Sequence, residues 1–235
     1  MDDRDPGSRL ALALDVPDLD AAKRLIDATR PHVDVFKVGL ELYTAVGPAA
    51  VQAVTAGGAK CFLDLKLHDI PETMGRAVAA ASSMGVAFLT VHAAAGAESL
   101  HAAQNEADAT RLLAVTVLTS LDDSALEAIG LVGGASKSVD RLATLAWSSG
   151  LRGFVSSAQE CSSLRDRFGA EAFLVTPGIR PQGSATDDQK RVLTPEKAIA
   201  MGADLLVVGR PIRNAPDPAA AAAAIADQVR QALHR

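Results

Sequence analysis

Short apolar runs alternate with amphipathic stretches along the whole chain. Eight runs, at 10–15, 33–39, 60–67, 86–93, 111–119, 151–158, 172–178 and 204–210, have the length and branched-aliphatic content of buried strands. Between them, segments such as 18–30, 71–85 and 137–150 repeat apolar positions at helical spacing. Several end in glycine, which suits the left-handed residue that closes a helix. Strands separated by helices run parallel, because each helix returns the chain to the same end of the sheet. Eight such units predict an α/β fold, a closed (β/α)8 TIM barrel, with residues 1–235 as a single domain. The competing arrangement, an open doubly wound sheet, calls for a glycine-rich first βα turn, whereas this turn reads LDVPDLD.

Residues 77–97 contain no Asp, Glu, Lys or Arg and are numerous enough to span a bilayer. They break at SSMG and change there from an alanine-rich helical pattern to VAFLTV, which predicts a buried helix, a turn and a strand. The alanine run 219–224 follows PDP and predicts a terminal helix packed through small side chains.

Of the 235 residues, 49% are hydrophobic and 22% charged, which is ordinary globular usage and excludes a disordered or collagen-like chain. Lys and Arg number 23 against 28 Asp and Glu, for a net charge of −5 with no basic block, so a nucleic-acid partner is not expected. Aromatic residues are only 3%, so a bound base would be held by polar contacts more than by stacking. Cys61 and Cys161 lack partners at metal-ligand spacing and read as buried small residues in a reducing compartment. The opening MDDRDPGSRL is polar, without the apolar centre of a secretory signal, and the expected address is cytoplasmic, away from membranes.

Barrel chemistry belongs at the carboxyl ends of the strands. The polar residues that end apolar runs are Asp15, Lys37, Asp64 with Lys66, His92, Thr119 with Ser120, Ser156 with Ser157, Thr176, and Gly209 with Arg210. Asp64 and Lys66, two apart, face one side of a strand while Leu63, Leu65 and Leu67 face the other. Lys37 on the neighbouring strand and Asp15 after the first bring two carboxylates and two ammonium groups to the mouth. Each such charge costs several kcal/mol to desolvate, and apolar packing would serve stability as well, so the cluster points to chemistry. Lysines beside carboxylates stay protonated, which suits proton donation or anion stabilisation better than nucleophilic attack. Asp69, ahead of Pro71, reads by itself as a helix cap. His92 reads as a hydrogen-bonded core histidine, and Ser156, Ser157 and Thr176 as turn or packing residues.

The segment FLDLKLHDIPET, with its D-x-K-x-x-D-I-P-x-T core, closely resembles the signature of the orotidine 5'-phosphate decarboxylase family. The resemblance continues in order through LALD, FKVGLEL, TVLTS, VTPGIRP, DDQKRVLTPEKAI and VVGRPI. It implies a barrel homodimer that converts orotidine 5'-phosphate to UMP and CO2 in pyrimidine biosynthesis, with no metal and no organic cofactor. It implies a tetrad of Lys37, Asp64, Lys66 and Asp69, with Lys66 as proton donor and with Asp69 and Thr73 reaching the neighbouring subunit's site, which replaces the cap reading of Asp69. Asp15, Lys37 and Thr119 would hold the nucleoside, and Arg180, Gln189, Gly209 and Arg210 the phosphate. Residues 179–193, too long and polar for an ordinary βα loop, read as a lid that folds Gln189 onto the phosphate. The chain departs from the family at Glu72, where Asn is common, and at Ala95, where a second Gly is common, which bears on loop shape and dimer contact.

Such chemistry suits the cluster. Loss of CO2 from the orotate ring leaves a C6 carbanion with no adjacent carbonyl, so preorganised cations must stabilise charge that appears late in the reaction. Two other readings fit the same residues. A metal-dependent sugar-phosphate decarboxylase or epimerase would need carboxylates on a divalent ion. A non-catalytic nucleotide-binding barrel would have no use for an internal proton donor.

Overall fold

A computed structural model describes residues 6–181 and 193–234. Its strands are β1 (Leu10–Ala13), β2 (Val35–Val38), β3 (Lys60–Leu67), β4 (Phe88–His92), β5 (Arg111–Val115), β6 (Gly153–Val155), β7 (Phe173–Thr176) and β8 (Leu205–Val208). They follow one another around a closed, all-parallel barrel, and Leu12 of β1 pairs with Val208 of β8. That closure is the (β/α)8 architecture expected from the alternating pattern and rules out the open sheet.

The helices are α1 (Leu19–Thr29), α2 (Leu40–Val46), α3 (Ala49–Thr55), α4 (Pro71–Ser83), α5 (Ala97–Asn105), α6 (Asp123–Ala128), α7 (Gly134–Ser148), α8 (Ala158–Phe168), α9 (Pro195–Ala200), α10 (Arg210–Arg213) and α11 (Pro218–Leu233). Local chemistry starts several of them. Asp18, Asp122 and Asp217 accept the backbone N–H three residues on, and Pro71, Pro195 and Pro218 open their helices, where a missing N–H costs nothing. Ser157 donates both its backbone N–H and its hydroxyl to Glu160, so it starts α8. Residues 77–97 divide into the end of α4, a turn and β4, and among the described residues no helix is long and apolar enough to cross a membrane.

Alternation along the strands separates two apolar layers. Ala11, Ala13, Val35, Phe62, Phe88 and Leu113 fill the barrel interior, while Leu12, Phe36, Leu63, Leu89 and Leu206 pack outward under the helices. Alanines on β1 leave room for Phe62 and Phe88, which meet edge to face at 6.0 Å and floor the barrel below its mouth. Most strands stop short of the apolar runs that predicted them. The run 111–119 pairs only to Val115, yet Val117 stays buried, because packing against the core outlasts the hydrogen-bond ladder. The rim residues therefore sit on loops that the strands aim.

At the opposite end of the barrel, Asp204 ties the chain together. Its carboxylate accepts from Arg9 at 3.3 Å, from Arg165 at 2.6 Å and from the Leu174 N–H at 2.8 Å. Arg165 also donates to the carbonyls of Gly169, Ala172 and Gly202. Asp204→Asn is expected to lower stability by about 2 kcal/mol, since it weakens charge-assisted bonds that join three segments. Urea unfolding checks this, with a lower midpoint at an unchanged m-value.

Candidate active site

A cavity of about 510 Å³ opens above the aromatic floor, at the carboxyl ends of the strands. Asp15, Lys37, Asp64 and Lys66 line one wall, and Glu41, Thr119, Arg180, Gly209, Arg210 and Arg213 are among the residues that complete the lining. Lys37 follows Val35 on the inward face of β2, and Asp64 follows Phe62 on β3, so period-two alternation lifts both charges just above the apolar floor.

These charges form a row. Lys66 Nζ donates to Asp64 Oδ1 at 2.8 Å, Asp64 Oδ2 lies 3.4 Å from Lys37 Nζ, and Lys37 donates to Asp15 Oδ1 at 3.1 Å. Arg213 extends the row, with Nη1 3.7 Å from Asp15 Oδ2 and a donated hydrogen bond to the Asp15 carbonyl. Three cations alternate with two carboxylates, and Arg180, Arg210 and the carboxylate of Glu41 also line the space, which leaves positive charge in excess. An anionic ligand is therefore favoured. Gly39 permits the close approach: a side chain there would put its Cβ 2.9 Å from Lys37 Nζ and 3.0 Å from Asp15 Oδ1.

Burial is the largest influence on Asp64 and favours its neutral acid. The charges of Lys37 and Lys66, with hydrogen bonds from Lys66 and Thr90, outweigh it and hold the carboxyl below its usual value. Asp64 is thus an anion in the working site. His92 is half-buried with its ring 5.6 Å from that of His68, a tilted ring pair in place of the core hydrogen bond expected of it. Burial, His68 and Lys66 push its pKa down against the pull of Asp64, which keeps it neutral near pH 7. Both cysteines are buried and unbridged, and burial pushes the Cys61 thiol up to about 12, so it stays an inert packing group.

The remaining expectations divide. Asp69, Ile70 and Thr73 are exposed, and neither Asp69 nor Thr73 lines this chain's cavity. Asp69 does not cap α4 in the usual way, because its carboxylate accepts from the adjacent Ile70 N–H at 2.7 Å and Ile70 holds the cap position. Thr119 lies four residues past the end of β5, and with Ser120 belongs to a turn closed by Leu121 N–H donating to Leu118 O, not to a strand end. Ile179 and Leu193 form a parallel bridge, while 182–192, which carry Gln189 and most of the expected lid, lie outside the described residues. Glu72 sits in the exposed first turn of α4, paired with Arg76. Ala95 ends a short 3-10 turn with an ordinary φ, and Gly96 takes the positive angle of +91°, so the departure at 95 demands no glycine.

The sequence reading missed Arg213 and Thr90. Arg213 stands one turn beyond Arg210, a spacing that could have drawn attention to it. Thr90 sits within an apolar strand and shows no such signal.

The sequence and the fold are matched by known proteins. A model of the orotidine 5'-phosphate decarboxylase / HUMPS family matches residues 8–225. Proteins named orotidine 5'-phosphate decarboxylase from Thermobifida fusca and from Anaeromyxobacter sp. strain K are each 53% identical to the chain. The alignments cover 94% of it and 96% and 98% of those relatives. A crystal structure of orotidine 5'-phosphate decarboxylase from Lactobacillus acidophilus matches with a TM-score of 0.84 at 34% identity, over 94% of this chain and 98% of that one. The agreement runs from the first strand into the last helix and takes in every element that carries the charge row, so the chain belongs to the orotidine 5'-phosphate decarboxylase / HUMPS family.

Proposed function

We propose that this chain decarboxylates orotidine 5'-phosphate to UMP and CO2, the last step of UMP synthesis, and that the charge row performs the chemistry. The observation that carries the reading is the alternation of Lys66, Asp64, Lys37, Asp15 and Arg213 along one cavity wall. The bond from C6 to the carboxylate breaks, its electron pair stays on C6, and CO2 leaves. A proton from Lys66 Nζ then joins C6, and solvent restores the ammonium. Before the substrate binds, the ammonium is already fixed at 2.8 Å from Asp64, so stabilising the developing anion requires little reorganisation. Asp64, ionised and buried, faces the departing carboxylate; Asp15 and Thr119 hold the nucleoside; Arg180, Arg210 and Gly209 hold the phosphate together with Gln189. The purified protein is expected to consume the orotate chromophore in an ultraviolet assay, and binding of UMP without any turnover would refute the reading.

Asp15 and Asp64, the carboxylates of the charge row, are engaged by lysine ammonium groups at 3.4 Å or less, which opposes their use as ligands for a divalent ion. Turnover that survives EDTA is accordingly expected; loss on chelation and recovery with Mg2+ would favour the metal-dependent sugar-phosphate chemistry.

The working unit in this proposal is a homodimer of single-domain barrels. Asp69 and Thr73 are exposed beside Ile70, which is 66% exposed, and Leu40, a second large apolar side chain on the rim, is 55% exposed. Covering such residues is what an isologous interface does, and it would carry Asp69 and Thr73 towards the second site. Subunits bearing Lys66→Ala and subunits bearing Asp69→Ala, each inactive alone, should recover about a quarter of wild-type activity when mixed and reassembled, since half the sites of each mixed dimer are intact.

Arg213 acts through Asp15, which it holds by both carbonyl and carboxylate. Arg213→Met is expected to raise KM for orotidine 5'-phosphate about tenfold with kcat within about threefold of wild type, as loss of a charge-assisted bond to a binding group predicts.

A further inference from the structure

The pairing of β3 with β4 is irregular where the chemistry lies. Leu63 is in register with Leu89 and Leu67 with Val91, so Asp64, Leu65 and Lys66 together stand opposite the single residue Thr90. Within this bulge Lys66 has φ +52°, and Asp108 is the other described non-glycine residue at positive φ. An L residue keeps that conformation only where its surroundings hold it. Here the backbone N–H of Lys66 donates to Thr90 Oγ1 at 2.9 Å. The Thr90 hydroxyl in turn donates to Asp64 Oδ1 at 2.9 Å, the same oxygen that receives Lys66 Nζ. Thr90 is fully buried, and its neighbours on β4, Leu89 and Val91, are apolar and face outward. One hydroxyl therefore closes a ring from the backbone of Lys66, through the carboxylate, to the side chain of the same lysine.

We propose that Thr90 is a positioning residue for decarboxylation, whose hydroxyl locks the left-handed backbone at Lys66 and the orientation of the Asp64 carboxylate so that the lysine ammonium is delivered to one place. The inference rests on the reading of Lys66 and Asp64 given above and assigns a role to a residue that does not line the cavity. Bulging the strand turns Lys66 back over Asp64, and the threonine supplies the hydrogen bond that a β4 carbonyl would provide in a regular ladder. A hydroxyl can accept from one group and donate to another, and valine, nearly its equal in shape, can do neither.

Thr90→Val is expected to lower kcat by about ten- to a hundredfold, with KM for orotidine 5'-phosphate and Kd for UMP within about threefold of wild type. The acid limb of kcat is expected to move to higher pH, because one of the hydrogen bonds that hold Asp64 ionised is gone. The groups that face Asp64 are Lys37 from β2, Lys66 from β3 and His92 at the end of β4, with Asp15 beyond Lys37; all are unchanged by the substitution. Thr90→Ser, which keeps the hydroxyl and loses the methyl, should restore both kcat and the acid limb. Rates are referred to UMP-binding sites, so partial unfolding does not imitate the effect. If the valine variant fails to fold, Thr90→Cys, with a poor donor of similar volume, is expected to show the same kcat loss. Wild-type kcat and acid limb in the valine or cysteine variant, or a serine variant as impaired as valine, would overturn the inference. Absence of turnover in the wild-type protein would instead overturn the proposed function, so the two failures are distinguishable.

Discussion

Lys66→Ala is expected to reduce turnover of orotidine 5'-phosphate by several orders of magnitude while leaving a folded barrel that still binds UMP. Two contributions are lost together. A positioned proton donor supplies about 10²- to 10⁴-fold, and a preorganised charge beside a developing anion supplies a further 10²- to 10³-fold, or roughly 3–4 kcal/mol. The site has no ready substitute: Lys37 is committed to Asp15 and Asp64, and Arg213 to Asp15. Because the phosphate end of the cavity is untouched, the deficit should fall on kcat, with product affinity nearly preserved. Continuous ultraviolet measurement of the orotate ring, with UMP titration of the same samples, separates these quantities. A variant as fast as wild type would remove Lys66 from the mechanism.

Asp64→Asn carries the second large effect, on stability as well as on rate. The carboxylate stands between two ammonium groups, at 2.8 Å from Lys66 and 3.4 Å from Lys37, and an amide leaves Lys66 without a counter-charge and Lys37 with Asp15 alone. Removing one member of a buried ion network typically costs about 3–5 kcal/mol, and with Lys66 no longer aimed a fall in kcat/KM of about 10²- to 10⁴-fold is expected. The pH dependence has a definite sign. The folded-state pKa of Asp64 is depressed, so its contribution is fully present above the ordinary carboxylate range of the unfolded chain, about 4. That contribution disappears as pH falls through the lower folded value. The stability gap between wild type and Asp64→Asn, measured by denaturant unfolding, should be constant from neutrality to about pH 5 and shrink in more acidic buffer. A gap that widened on acidification would contradict the assignment of Asp64 as the buried anion.

How much of this could be read from the sequence depended on whether local periodicity carried it. Alternation correctly faced Asp64 and Lys37 into the barrel, since Phe62 and Val35 sit two residues before them on the same inner face. It also brought Lys66 to the same side, but for a reason that alternation does not contain: the strand is bulged and left-handed there, and register against another strand is a nonlocal property. Thr90 was hidden because a hydroxyl inside FLTVH looks like an ordinary strand residue until its partner strand is known. Arg213 was passed over because whether an arginine on a short helix points to solvent or to Asp15 depends on how that helix crosses the first strand. Rim residues such as Thr119 were placed on strands because burial continued after pairing stopped. The assignments of Asp69 to the tetrad and of Thr73 to the neighbouring subunit's site came from the family signature alone, as nothing in one chain's periodicity describes a second subunit.

The shared counter-ions along the mouth have a final consequence for anyone dissecting it by mutagenesis. Asp15 serves both Arg213 and Lys37, and Asp64 serves both Lys37 and Lys66, so each carboxylate is divided between two cations. A perturbation at Arg213 therefore redistributes attraction along the series until it reaches Lys66, four members away. Energetic losses in double variants at these two ends should depart from the sum of the singles, although no hydrogen bond or ion pair joins the two residues directly.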